Sequence, residues 1–395
     1  MSVEDHDQVP ALAARANGLG VYIHIPFCEV RCWFCEFTCY AGLASAIPRY
    51  LDALATEIAR TAERAGGLLR VRSIYLGGGT PSMLDPEAIA ALLGLVRRAL
   101  CVARACEVTL EAHPGVRTEA QMAAYRAAGV TRLSVGVQTF DDRILSILGR
   151  THTAAAGRRT LEAALAAGFG SVSADLIYGT PGQSAATWRR DLRTLRAIDP
   201  PHVSTYALKR PEGMGTPRRL DALGGLDPDA AAAMYEDADR MLAGAYAWYE
   251  VSNWAKPGHA CAYNRGTWRR NAYLGFGAGA HGFVGDVRYV NTGNPRRYIQ
   301  TIAATGTPSR QYEVVDAAAA HLERVALGLR TRAGLLLSEV PDRHATLRQW
   351  ASMGLAQIHG SAAVLTVRGR LLADKLALEL VAPQPADAPA VSVAI

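Results

Sequence analysis

Short runs dominated by apolar residues alternate with longer stretches whose apolar positions recur every three or four residues, and this alternation covers most of the chain. VYIHI is followed by PRYLDALATEIARTAERA, VRSIYLGGG by DPEAIAALLGLVRRAL, and EVTLEAH by TEAQMAAYRAAG. The order continues with RLSVGVQ before DDRILSILG and TAAAGRRTLEAALAAG, then SVSADLIYG before SAATWRRDLRTLRAI, and ends on HVSTYAL. Each short run predicts a strand and each periodic stretch a helix, so the strands run parallel with helical crossovers. The expected fold class is α/β, a barrel or part of one, and six units fall short of the eight of a full barrel. Ligands of such sheets gather at the carboxyl ends of the strands. There lie the cysteine-rich loop after VYIHI, the glycines after SIYL, Glu111, Gln138, Asp175 and Tyr206.

From about residue 285 the pattern changes to AAAHLERVALGLRTR and VPDRHATLRQWASMG, followed by AAVLTVRGRLLADKLALELV. Residues 286–395 are therefore expected to form a smaller helical, winged-helix-like module, with PQPADAPA as a loose tail, beside a barrel spanning residues 1–285.

Composition narrows the class. The 395 residues, half of them apolar, suit one large domain with an appendage. No apolar run is long enough to span a bilayer, and MSVEDHDQVPALAARANG carries acidic residues and lacks the apolar core of a signal peptide, so a cytoplasmic protein with no membrane partner is expected. The formal charge of +6 is spread along helices in pairs such as Arg158-Arg159 and Arg189-Arg190, which reads as solvated faces and not as a nucleic-acid footprint. Seven cysteines are an odd number, and Cys101, Cys106 and Cys261 are scattered, which predicts reduced thiols. A monomer is the default expectation.

The remaining cysteines crowd one loop. Cys28, Cys32 and Cys35 form C-x3-C-x2-C, and Cys39 follows. Three soft thiolates suit an iron–sulfur cluster with one iron left open. Zinc is the rival, with Cys39 as a fourth ligand, although a second C-x2-C pair is missing. A redox pair formed by Cys32 and Cys35 would leave Cys28 without a role.

This loop, with an aromatic residue between its last two cysteines, resembles that of the radical S-adenosylmethionine (SAM) superfamily. The motifs YIHIPFC, YLGGGTPS, SVGVQTF, DLIYGTPGQ, YEVSNWAKPG and YLGFGAGAH, in this order, resemble the branch of oxygen-independent coproporphyrinogen III oxidase and its haem-chaperone relatives. The resemblance covers roughly residues 20 to 335. It implies a partial (β/α)6 barrel and a [4Fe–4S] cluster on Cys28, Cys32 and Cys35, with SAM on the open iron. Tyr22, Phe37, Gly78, Gly79, Thr80, Glu111, Gln138, Arg150, Asp175 and Ala207 resemble the family's SAM contacts. Glycines after a strand let a backbone approach its ligand closely, carboxylates suit ribose hydroxyls, and an arginine suits the SAM carboxylate.

Three reactions share these motifs. The expectation carried forward is a class C radical SAM methyltransferase of natural-product biosynthesis, binding two SAM molecules and methylating an sp2 carbon of a heterocyclic small molecule or modified peptide. A flavodoxin or ferredoxin would donate electrons. Tyr263, Glu36 and His281 are the candidate bases. The alternative is a haem chaperone, whose His-Asn-x-x-Tyr-Trp signature is replaced here by Tyr263-Asn264-Arg265-Gly266-Thr267-Trp268. Coproporphyrinogen oxidation ranks third, because Phe37 stands where that enzyme's loop has a further cysteine.

Overall fold

The computed structural model describes residues 8–66, 69–114, 118–209 and 227–382; the PQPADAPA segment lies outside the described residues. The chain divides into two compact units, Met1–Trp248 with Ser252–Val314, and Tyr249–Val251 with Val315–Ile395.

Twelve strands form the main sheet: β1 (Leu19–Ile25), β2 (Arg70–Gly78), β3 (Cys101–Ala112), β4 (Arg132–Gln138), β5 (Ser171–Tyr178), β6 (His202–Ala207), β7 (Ala247–Glu250), β8 (Asn253–Ala255), β9 (Tyr273–Phe276), β10 (His281–Val284), β11 (Val287–Asn291) and β12 (Arg310–Val314). Their spatial order is β12-β11-β10-β9-β1-β2-β3-β4-β5-β6-β8-β7. From β1 to β6 every neighbour is parallel, as the strand–helix alternation predicts. The crossovers are Ile47–Arg64, Pro86–Ala99, Glu119–Ala127, the pair Asp142–Leu148 and Ala154–Ala166, and Ala185–Ile198. Several begin on a polar residue whose side chain accepts a first-turn amide, as Thr118, Asp141, Thr153 and Ser184 do. Strand β5 is buried at seven of its eight positions, the pattern of a parallel strand covered on both faces.

On the far side of β1 the sheet continues. Strand β9 runs parallel to β1, and β10, β11 and β12 follow in antiparallel order. Residues 286–314, grouped from the sequence with the C-terminal module, thus belong to the large unit. A buried network locks them there: Arg310 is ion-paired with Glu57 at 2.9 Å, while Asn291 Nδ2 and the Tyr298 hydroxyl donate to the same carboxylate.

The smaller unit has helices Ala317–Leu329, His344–Ser352 and Ala373–Val381 and a three-stranded antiparallel sheet of Leu335–Leu336, Ala362–Leu365 and Ala356–His359. Val325, Leu329, Leu347, Trp350, Leu365 and Leu376 fill its core. Among the described residues no helix is long and apolar enough to cross a membrane.

Candidate functional site

Polar side chains recur at alternate positions along the carboxyl-terminal stretch of β3 and along β4, β5 and β6, where most intervening residues are buried and apolar. The series are Thr109 and Glu111 on β3, Arg132, Ser134 and Gln138 on β4, Ser173 and Asp175 on β5, and His202, Ser204 and Tyr206 on β6. Because alternate residues of a strand share a face, these side chains point the same way. All of them line one cavity of about 360 Å³, together with Cys28, Cys32, Cys35 and Cys39.

The cysteine loop leaves β1 at Ile25 and is tied back on both sides. Phe27–Cys28 pairs in parallel with Tyr40–Ala41, and the amides of Gly79 and Thr80 donate to Ile25 O (2.9 Å) and Phe27 O (2.8 Å). A side chain at Gly79 would stand 2.6 Å from Phe27 O and 3.0 Å from Cys28 Sγ, so the loop's approach to β2 requires glycine there. The Gly78 amide donates to Glu111 Oε2 at 3.2 Å. The amides of Gly78, Gly79 and Thr80 are thus engaged within the protein, while all three residues line the cavity beside the cysteines. The glycines also permit close packing of the cysteine loop on the sheet.

The thiols are poised for ligation. Hydrogen bonding with Cys39 and Thr80 lowers Cys28 to about 7, and hydrogen bonding with Cys39 and the backbone of Phe37, assisted by Arg31 and Arg150, lowers Cys35 to about 6. Cys39 is pushed upward by the same two neighbours and stays a thiol, 3.7 Å from Cys35 Sγ. Arg150 Nη1 reaches Cys32 Sγ at 3.5 Å and Nη2 donates to Gly136 O at 3.0 Å, while its buried Nε has no partner. Three cysteines at the mouth of a cavity, two with acidified thiols and one beside a guanidinium, fit an iron–sulfur cluster by donor chemistry. Among the described residues no group of three or more His, Cys, Asp or Glu side chains is disposed to hold a single metal ion.

Behind the cysteines stand two buried carboxyls. Burial raises Glu111 to about 7, although Tyr75 donates to its Oε1 at 2.8 Å. Burial likewise raises Asp175 to about 6, against the hydroxyls of Ser173 and Ser134, each 2.8 Å away. Gln138 closes this rim at the end of β4, with φ of 68° and its Oε1 accepting from the Tyr206 hydroxyl at 3.1 Å. A non-glycine residue in the left-handed region is strained, and here that backbone accompanies a register shift in the β4–β5 pairing between Val135 and Gln138.

Glu111, Gln138, Arg150 and Asp175 thus meet around the cavity that the cysteines enter. Phe37 lines its mouth and is 62% exposed. Other expected residues stand elsewhere. Tyr22 is half-buried, stacked on Tyr75 and tilted against Tyr263, with its hydroxyl bonded to His24; Tyr75 lines the cavity in its place. Ala207 lies outside the lining, where its neighbour Tyr206 takes part. None of the candidate bases reaches the cavity. Tyr263 is enclosed by Tyr22, Tyr75 and Tyr273, and burial holds its phenol well above the usual range. Glu36 and His281 point to solvent. Tyr75, Thr109, Arg132, Ser134, Ser173 and His202 were missed as lining residues. Their signal was the polar alternation inside strands read as buried.

The sequence profile of the radical SAM superfamily matches residues 22–195. The Heme chaperone HemW of Mycobacterium tuberculosis is 39% identical over 93% of this chain and 96% of its own length. The chain belongs to the radical SAM superfamily, in the branch of HemN and HemW. The Bacillus subtilis protein of the same name is 34% identical over 90% of this radical SAM chain and 97% of its own. In Mus musculus, the mitochondrial radical S-adenosyl methionine domain-containing protein 1 is 34% identical over 94% of this chain and 86% of its own. The solved structure of Escherichia coli coproporphyrinogen III oxidase, HemN, superposes with a TM-score of 0.82 at 23% identity, covering 96% of this chain and 93% of that one, and so shares its fold. Membership of this superfamily carries with it a [4Fe–4S] cluster and SAM.

Proposed function

We propose that this radical SAM protein is a haem chaperone of the HemW kind, with Cys28, Cys32 and Cys35 holding the cluster and Glu111, Gln138, Arg150 and Asp175 surrounding SAM. The observation that carries the reading is the match along 96% of the length of a protein named as a haem chaperone. The methyltransferase expectation rested on motifs that the whole branch shares, and such motifs do not separate its reactions. A cavity of about 360 Å³ is at the lower end of small-molecule sites. It suits one SAM, and we place haem outside it. When bound, the reduced cluster supplies the electron that splits SAM. The chain's part is to present thiolates, to hold SAM between Arg150 and the two carboxyls, and to keep water out. In this reading the protein works in the cytoplasm as a single chain with a flavodoxin or ferredoxin as reductant.

Tyr263 stands where the chaperone signature has histidine. Tyrosinate can bind haem iron, but a phenol enclosed by three tyrosines and shifted upward by burial does not ionise near neutral pH. The test is a haem titration of the anaerobically reconstituted protein and of Tyr263→Phe, run beside turnover with SAM carrying a trideuterated methyl. Stoichiometric haem binding, unchanged in Tyr263→Phe and accompanied by unlabelled 5′-deoxyadenosine, is expected. Absence of haem binding together with deuterium in the deoxyadenosine would overturn the reading and restore the methyltransferase.

A further inference from the structure

The cavity does not stop below Glu111 and Asp175. It continues down the sheet to Arg132, the first residue of β4, and its register partner Thr109 on β3, which face the same interior. Arg132 is 2% exposed. Its Nε donates to Glu107 Oε2 at 3.0 Å and one terminal nitrogen donates to His259 O. The other terminal nitrogen, Nη1, is buried with no hydrogen-bond partner, and so is the Thr109 hydroxyl. Two unpaired polar groups on register-partnered residues thus line one chamber. A buried donor without a partner costs about 1–3 kcal/mol, and more for a charged group, so the pair marks a place built for an acceptor.

We propose that this floor chamber is a second binding site, for a small carboxylate, held by Arg132 Nη1 and the Thr109 hydroxyl beneath the SAM site. Two adjacent donors match the two oxygens of a carboxylate, whereas a phosphate would leave oxygens unmet. The charge balance permits it. Glu107 neutralises Arg132 on its outer side, and His202 stays neutral because burial and the Arg132 charge both disfavour its protonation. The nearest acidic groups above, Glu111 and Asp175, are engaged by Tyr75, Ser134 and Ser173. Cys261 and Asn264 line the cavity from the segment that leads into helix Ala262–Trp268 and from that helix. This site is independent of the haem-chaperone reading, since neither its donors nor its shape involve haem.

The test uses the cluster-loaded full chain and acetate as the probe. Thermal unfolding is followed across an acetate series held at constant ionic strength with chloride, for the wild type and for Thr109→Val, which removes the hydroxyl at nearly constant volume. Arg132→Lys, which keeps the charge but loses the fork, provides a second variant should the valine protein fold poorly; circular dichroism checks each fold. The expected result is a saturable upward shift with acetate, its half-point moved at least tenfold higher in either variant, and acetate density bridging Arg132 and Thr109 in crystals. The same response in acetate and chloride, an unchanged half-point in both variants, or density for an ordered water or an adventitious ion only would overturn it.

Discussion

The Tyr22 hydroxyl and His24 Nδ1 lie 2.9 Å apart, and on the other side of the same ring Nε2 lies 2.8 Å from Thr38 O. A carbonyl only accepts, so Nε2 carries the proton and Nδ1 accepts from the tyrosine. Strand β1 is thereby stitched to the far end of the cysteine loop through one neutral imidazole, which burial keeps below the usual histidine range. His24→Phe, which keeps the ring volume but breaks the stitch, is expected to lower the iron and sulfide retained after gel filtration. Tyr22→Phe should keep both and should retain deoxyadenosine formation. Equal cluster retention in His24→Phe and wild type would remove the stitch from the account.

The thiols divide into ligands and support. Replacement of Cys28, Cys32 or Cys35 by alanine is expected to abolish the visible absorbance of the cluster and SAM cleavage together. Cys39, the protonated partner of Cys35 at 3.7 Å, should be dispensable as a ligand, so Cys39→Ala is expected to keep four irons per chain. Iron content measured on the reconstituted variants decides between three ligands and four.

Glu111 makes stability depend on pH with a definite sign. Its folded pKa of about 7 lies above the usual value of 4.5, so between these limits the native state holds a proton that the unfolded chain has released. Stability from this group is complete below about pH 4.5 and is lost as pH rises through 7. At 1.36 kcal/mol per unit the full loss is roughly 3 kcal/mol. Asp175, raised to about 6, contributes in the same direction. Buried His24, His152 and His202, whose pKa values burial lowers, act in the opposite sense, so the readout is the difference between wild type and Glu111→Gln. Urea unfolding of the two SAM-free proteins at pH 5, 6, 7 and 8 should show the wild type losing stability relative to the variant as pH rises, and a difference that stays constant over this range would contradict the assignment.

At Gln138 the chain accepts strain where it needs a side chain. Replacing it by glycine removes a left-handed conformation costing about 1–3 kcal/mol and also removes the acceptor of the Tyr206 hydroxyl. Gln138→Ala loses the same acceptor but keeps a side chain at positive φ, so Gln138→Gly is expected to have a higher thermal midpoint than Gln138→Ala, with SAM binding weakened in both. A glycine variant no more stable than the alanine variant would show that the backbone there is relaxed.

The six parallel strands were legible because each is a compact apolar run set between amphipathic helices. The second half of the sheet was not. Strand β9 carries Gly275 in a glycine-rich run, and β9, β10 and β11 have only four or five residues each, too few for a period to register. Within the site, the cysteines and the carboxyls Glu111 and Asp175 were readable from strand-end position and motif. Tyr22 was misplaced because it and Tyr75 are register partners facing the same side, and only the packed structure decides whose hydroxyl reaches Glu111. Arg132 escaped notice because a polar residue at the start of a strand ordinarily meets solvent, and here the barrel encloses it; Thr109 escaped notice because a threonine inside a strand reads as ordinary β-branched filling.

Strand β1 is flanked by β2, which follows it closely in the chain, and by β9, in which Tyr273 pairs with Gly20. During synthesis the amino-terminal half of that contact emerges long before its partner exists, and closing so distant a pairing is a slow, late event. The foundation of the cysteine loop is therefore completed only after Phe276 has been made, so the native setting of the three cysteines forms late, when nearly the whole of the large unit already exists.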